Sequence, residues 1–216
     1  MSTIVYVTPK TPDSSLTPYR SLVRTIAPSV EPVSLSEAKA HLRVDTDDDD
    51  TYISSLITVA REYCEERLDS TFITTTWQAK YDVFPLWNLN LPRPPMLSGN
   101  VTVVYRDEAG NNTTITSDAG DFQVDASVIP GRIYPIYNGV WPAVRGDENS
   151  VTVTYTAGYG ASAASVPGYV RHAVLLLCGN WYAAREPVTA GMTSQNMPIP
   201  YTFETLISMG GMGVYR

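Results

Sequence analysis

Five aspartates crowd one short stretch: Asp45, Asp47, Asp48, Asp49 and Asp50. Clustered carboxylates are the first place to look for a cation site. A calcium loop needs ligands at alternating positions, a glycine at the sixth and a glutamate at the twelfth. Counted from Asp45, those two places hold Asp50 and Leu56. The pattern fails at both, and the acids read instead as charge at a helix N-terminus, where the macrodipole favours them. A zinc site takes three or four converging nitrogen or sulfur ligands. His41, His172, Cys64 and Cys178 are the only histidines and cysteines, and none are paired in sequence. Cys64 falls on an apolar stripe and reads as a small buried hydrophobe.

The sequence holds no nucleophile-elbow pattern, and Gly158-Tyr159-Gly160-Ala161 lacks the lysine of a phosphate loop. Paired carboxylates for glycoside hydrolysis are a spatial arrangement, and nothing in the sequence points to one. Trp77, Trp87 and Trp141, with the many tyrosines, would suit a carbohydrate- or receptor-binding β module. The competing reading is that they pack a β core. These residues point to no catalytic group, metal or cofactor, and the expectation is a protein that is not an enzyme.

Composition agrees with a folded, non-catalytic chain. Hydrophobic residues make up 44% and charged residues 17% of 216, which is globular composition. The net charge of −7 makes a poor surface for gripping phosphate backbones. Residues 34–69 carry four basic against ten acidic residues, so most of that charge sits on one segment. The start MSTIVYVTPKTP has no basic region followed by an apolar run, so no secretory leader is expected. The longest apolar run, Ala173–Cys178, is far short of a membrane span, so none is expected.

The elements follow from periodicity. Residues 1–33 hold five prolines and read as an extended arm, with Ile4–Val7 able to add a strand. Ser34-Leu35-Ser36-Glu37 is a capping box, opening a helix to about Arg43 with Leu35, Ala38 and Leu42 on one face. A second helix starts in Asp47–Asp50 and runs to about Leu68. Its buried stripe is expected to be Ile53, Leu56, Ile57, Ala60, Tyr63, Cys64 and Arg67. From Thr71 the period changes to that of strands: Thr71–Tyr81, then near Trp87–Leu91, Val101–Arg106, Asn112–Thr116, Phe122–Val124, Arg132–Tyr137 and Val151–Tyr155. A third helix runs from about Val166 to Arg185, followed by a loop and a short final helix at Tyr201–Met209. The predicted class is α+β: a small helical core (two N-terminal helices plus a C-terminal helix) with an inserted antiparallel β module. The expected divisions are 1–33, 34–70, 71–165, 166–187 and 188–216.

The order of these segments resembles a known family. Glu31–Asp45 (EPVSLSEAKAHLRVD), Ala60–Glu65 (AREYCE), Thr76-Trp77-Gln78, Leu91–Pro95 (LPRPP), Arg132–Pro135 (RIYP), Trp141-Pro142 and Val151–Gly160 (VTVTYTAGYG) follow one another. So does Pro167 leading into Val170–Ala173. Together they resemble tailed-phage head–tail connector (adaptor, head completion) proteins over roughly residues 27–186.

The resemblance implies a structural virion protein at the head–tail interface, assembled in the host cytoplasm. It implies a ring of copies, commonly a dodecamer, beneath the portal protein. Such a ring extends the DNA channel without specific DNA binding, and is a platform for a stopper or tail-completion protein. Within that implication, Asp47, Asp48, Asp49, Asp50, Glu62, Glu65 and Glu66 are expected to face the channel, where like charge keeps DNA from sticking. Tyr201, Phe203, Leu206, Ile207, Tyr215 and Arg216 are expected to dock on the portal, so that deleting 201–216 leaves the fold intact.

Overall fold

The computed structural model describes residues 19–184 and 201–211. Ile4–Val7, the loop after the third helix, and Tyr215 and Arg216 lie outside these residues. The chain divides into two compact units, one of residues 1–28 and 74–159, the other of 29–73 and 160–216. It is an α+β protein, with helices in the second unit and antiparallel sheets in the first.

Alternation builds the sheets. Strands β1 (Ser21–Ile26), β2 (Thr75–Tyr81), β4 (Thr102–Arg106), β5 (Asn112–Thr116) and β8 (Val151–Ala157) form one antiparallel sheet in the order β1-β2-β8-β4-β5. Strands β3 (Leu89–Asn90), β6 (Phe122–Asp125) and β7 (Arg132–Pro135) form a second, in the order β3-β7-β6. Every second residue of β2 and β8 is buried. Trp77 therefore faces Tyr155, Ala79 faces Val153 and Tyr81 faces Val151, all on the inner side. A slip of one residue in either strand would turn that strand's three outward, so the apolar pattern sets the register. Both sheets supply one apolar core, which also takes Leu22, Val103, Phe122 and Ile133. The buried phenols are satisfied: Tyr81 donates to the Asn90 carbonyl at 3.1 Å and Tyr155 to that of Pro92 at 2.6 Å.

Two differences from the sequence reading have local causes. The arm is a strand over Ser21–Ile26, paired with β2 from Ser21↔Lys80 to Ile26↔Thr76. Its alternation is too weak to show in sequence, because only Leu22 is buried. Residues 71–74 do not extend β2. The Phe72 amide donates instead to the Glu65 carboxylate at 2.9 Å, and Ile73 makes an isolated parallel bridge to Gly160.

In the helical unit, α1 (Leu35–Leu42) has its capping box complete. The Glu37 amide donates to Ser34 Oγ, and the Ser34 amide donates to Glu37 Oε2 at 2.9 Å. It ends on Arg43 in the left-handed region, φ 58°. Helix α2 (Asp50–Leu68) packs its Ile53, Ile57, Ala60 and Cys64 into a core with Val170, Ala173, Val174, Leu177 and Cys178 of α3 (Gly168–Ala183). Helix α4 (Tyr201–Gly211) closes this core. Phe203 is fully buried and Ile207 nearly so. The Tyr63 ring lies 5.9 Å from Trp181 and 5.8 Å from Phe203, and Arg67 meets Glu204 at 3.2 Å.

Truncating a buried phenylalanine costs about 3–5 kcal/mol. Phe203→Ala is therefore expected to lower the unfolding free energy of the helical unit by that amount, seen as a lower denaturation midpoint at unchanged slope, and an unchanged midpoint would show that α4 does not belong to the core.

Candidate functional site

The acidic segment is a set of partnered side chains more than an open cluster. Lys39 Nζ reaches Asp47 at 2.6 Å and Asp50 at 2.7 Å, which holds the Asp47 carboxyl below its usual range. Asp49 occupies the N-cap of α2 but makes no cap bond, and accepts the Tyr182 hydroxyl at 2.5 Å instead. Asp48, Glu62 and Glu66 are exposed. Among the described residues no group of three or more His, Cys, Asp and Glu is placed to hold a metal. His41 and His172 lie edge to face, centroids 6.4 Å apart. Cys64 and Cys178 are free and buried, and burial pushes both thiols up to about 12, which suppresses the reactive thiolate.

Glu65 corrects the channel-facing expectation. It is buried, and its two oxygens accept from Arg61 Nη1 at 2.7 Å and the Phe72 amide at 2.9 Å. Arg61 is only 2% exposed. Its Nε donates to Glu31 at 2.8 Å, and Thr58 donates to the other Glu31 oxygen at 2.9 Å. The buried face of α2 thus holds Arg61 and Glu65 where the sequence suggested Tyr63 and Arg67, of which Arg67 is exposed. The available signal was the i,i+4 spacing of Arg61 and Glu65, with Arg61 itself four residues after the buried Ile57. A second clamp joins α3 to the segment ahead of α1: Arg171 donates to the Pro32 carbonyl at 3.0 Å and pairs with Glu37.

The portal-docking set is corrected as well. Phe203 and Ile207 lie in the unit's own core and cannot serve as free anchors while α4 is seated, so removing 201–216 is expected to strip both from that core. Leu206 is half-buried. Tyr201 begins α4. Of the tryptophan platforms, Trp77 is buried with the Arg93 guanidinium 5.7 Å over its ring. Trp141 stacks on Phe84 at 4.7 Å and donates to the Trp87 carbonyl at 3.1 Å. Trp87 is exposed and forms, with Leu86, Tyr137 and Val140, an apolar surface that the sequence reading missed. It lies in loops, where no period marks it.

Residues 32–87, which carry the capping box and the Arg61–Glu65 pair, match the family of phage gp6-like head-tail connector proteins. The head–tail connector resemblance drawn from the sequence is thereby borne out. No curated protein matches the sequence. Among solved structures, the fold is similar to a chain in the neck of an empty gene transfer agent (GTA) particle computed with C6 symmetry. The identity is 22% and the TM-score 0.68, over 88% of this chain and 94% of that one. A chain in the virion of the native particle gives TM-score 0.69 at 22% identity, covering 87% and 93%. A chain in the native neck computed with C12 symmetry gives 0.61 at 22%, covering 87% and 94%.

Removing one member of a buried ion pair leaves the other charge uncompensated, at roughly 3–5 kcal/mol. Arg61→Met is expected to destabilise the helical unit by that much in chemical denaturation, and a loss below about 1 kcal/mol would mean the carboxylates readily find water. A pH effect follows from Glu37. Its pKa lies below the ordinary 4.5, chiefly through the Ser34 backbone, then the Ser34 hydroxyl and Arg171. A depressed carboxylate stabilises the fold fully above the unfolded value and loses that contribution as pH falls through the folded one. Thermal melts should therefore show Glu37→Gln less acid-sensitive than the parent below about pH 4.5, and parallel profiles would exclude the contribution.

Proposed function

We propose that this chain is a structural head–tail connector of a phage-like particle. It acts as one of a ring of copies, a dodecamer, set beneath the portal protein. The carrying observation is a coincidence. A segment matching the head–tail connector family lies in a chain whose fold, over most of its length, is that of chains in particle necks computed with C6 and C12 symmetry. The ring extends the DNA channel and offers its far face to a stopper or tail-completion protein. The chain is not an enzyme in this reading. It assembles in the host cytoplasm and resides in the virion. No helix among the described residues is long and apolar enough to cross a membrane.

Charge supports a channel that DNA slides through. Asp47, Asp48, Glu62 and Glu66 remain exposed on the segment with most of the net negative charge. Like charge there disfavours phosphate contacts. Portal docking then falls to Tyr201, Leu206, Tyr215 and Arg216, since Phe203 and Ile207 are occupied within the unit. The carbohydrate-binding alternative is weakened, because two of its three tryptophans are packed.

Quantitative mass spectrometry of purified particles tests the reading. The expected result is about one copy per portal subunit, as a closed ring on a closed ring requires when their symmetries agree. Absence of the chain from particles would overturn it.

A further inference from the structure

The three-stranded sheet of the β unit turns a polar face outward, and its register sets which residues share that face. Leu89 and Val124 flank Ile133 and turn into the core. The alternate residues point the other way, with Asn90, Arg132 and Asp125 in one row and Tyr134 and Gln123 in the next. The first row is fixed by its own bonds. Asn88 donates to Asn90 Oδ1 at 2.8 Å. Arg132 reaches one Asp125 oxygen through Nε at 3.1 Å and Nη2 at 3.0 Å, and the other oxygen accepts the Ser127 amide at 3.0 Å. The second row is not engaged. The Tyr134 hydroxyl and the Gln123 carboxamide make no hydrogen bond among the described residues, nor do the Tyr137 hydroxyl and the Asn138 carboxamide.

Two grooves cross this face. One, of about 620 Å³, runs between Leu86, Trp87, Tyr137 and Val140. The other, of about 750 Å³, is lined by Ser98, Gln123, Asp125 and Ser127. Tyr134 and Ile136 line both, so the two are continuous. Each is of the size that small-ligand sites take, roughly 300–1,000 Å³. Two aromatic rings stand open in the first groove, Trp87 at 75% and Tyr137 at 88% exposure. Their backbone is held from beneath. Trp141, stacked on Phe84, donates to the Trp87 carbonyl at 3.1 Å, and the Gly139 amide closes the turn on the Ile136 carbonyl at 2.8 Å.

Open aromatic faces beside unsatisfied hydroxyls and carboxamides select an amphipathic ligand. A polyanion does not fit. The one cation lining either groove, Arg132, is paired with Asp125, and the chain carries a net charge of −7. A purely apolar partner would bury those polar side chains without hydrogen bonds, which is costly. A neutral sugar matches both demands: its C–H face packs on an aromatic ring, and its hydroxyls donate to and accept from phenols and carboxamides. We propose that this face binds a neutral oligosaccharide, stacked on Trp87 and Tyr137 and hydrogen-bonded by Tyr134, Gln123 and Asn138. The site adds to the connector reading and does not depend on it.

Calorimetric titration of the full chain with neutral tetrasaccharides of glucose, mannose, rhamnose and N-acetylglucosamine tests it. At least one is expected to bind saturably, with a Kd of about 1 mM or tighter. Trp87→Ala is expected to weaken that binding roughly five- to tenfold, and Gln123→Ala several-fold. Both side chains are exposed, so circular dichroism and the melting temperature should not change. Val59→Ala, exposed on α2, should bind as the parent does. No saturable binding by any of the four sugars would overturn the proposal, as would binding that Trp87→Ala leaves unchanged. A Trp87→Ala variant whose only change is lost self-association in sedimentation would also overturn it, and would assign the face to a second copy. None of these outcomes bears on the copy number in particles, so the connector reading stands or falls separately.

Discussion

A guanidinium taken out of water organises the helical unit. Burying a charge costs several kcal/mol unless its partners are close and fully hydrogen-bonded. Arg61 meets that condition through Glu31 on one side and Glu65 on the other. Each carboxylate spends its second oxygen on a different group, Thr58 for Glu31 and the Phe72 amide for Glu65. One buried ion group therefore pins the segment ahead of α1, the middle of α2 and the chain leaving α2. The Phe72 bond also keeps that amide out of any strand pairing.

The clamp at Arg171 works on the same segment from α3. It engages Pro32 and the Glu37 carboxylate that completes the capping box. Residues 29–37 are thus held twice, once by each long helix. Asp47, Asp49, Asp50 and Glu65 each meet a named cation or hydroxyl in the same unit. Of these four, Asp47 stays exposed on the surface, and Glu65 is buried.

The β unit follows a different logic. Its register comes from the alternation of β2 and β8, and its buried tyrosines are satisfied by loop carbonyls at Asn90 and Pro92. Those carbonyls are consequently held in place, while Leu86, Trp87, Tyr137 and Val140 face outward. An ordered framework beneath exposed apolar residues separates a surface shaped for contact from scattered exposed hydrophobes.

The sequence alone determined the parts that depend on near neighbours. The capping box, the extent of α2, the strands β4 to β8 and the class α+β all rest on periods and caps that close within a few residues. The head–tail connector resemblance was legible for a related reason: its motifs are local, and 32–87 carries several of them. The tertiary structure decided which charges and aromatics are buried. Glu31 meets Arg61 across 30 positions and Arg171 meets Pro32 across 139. By sequence Phe203 reads as a free anchor, and only its seat against Tyr63 buries it; Trp87 reads like Trp77 and Trp141, and only the tertiary placement of its loop leaves it exposed. Burial is a property of what arrives from elsewhere in the chain, and no local period records it.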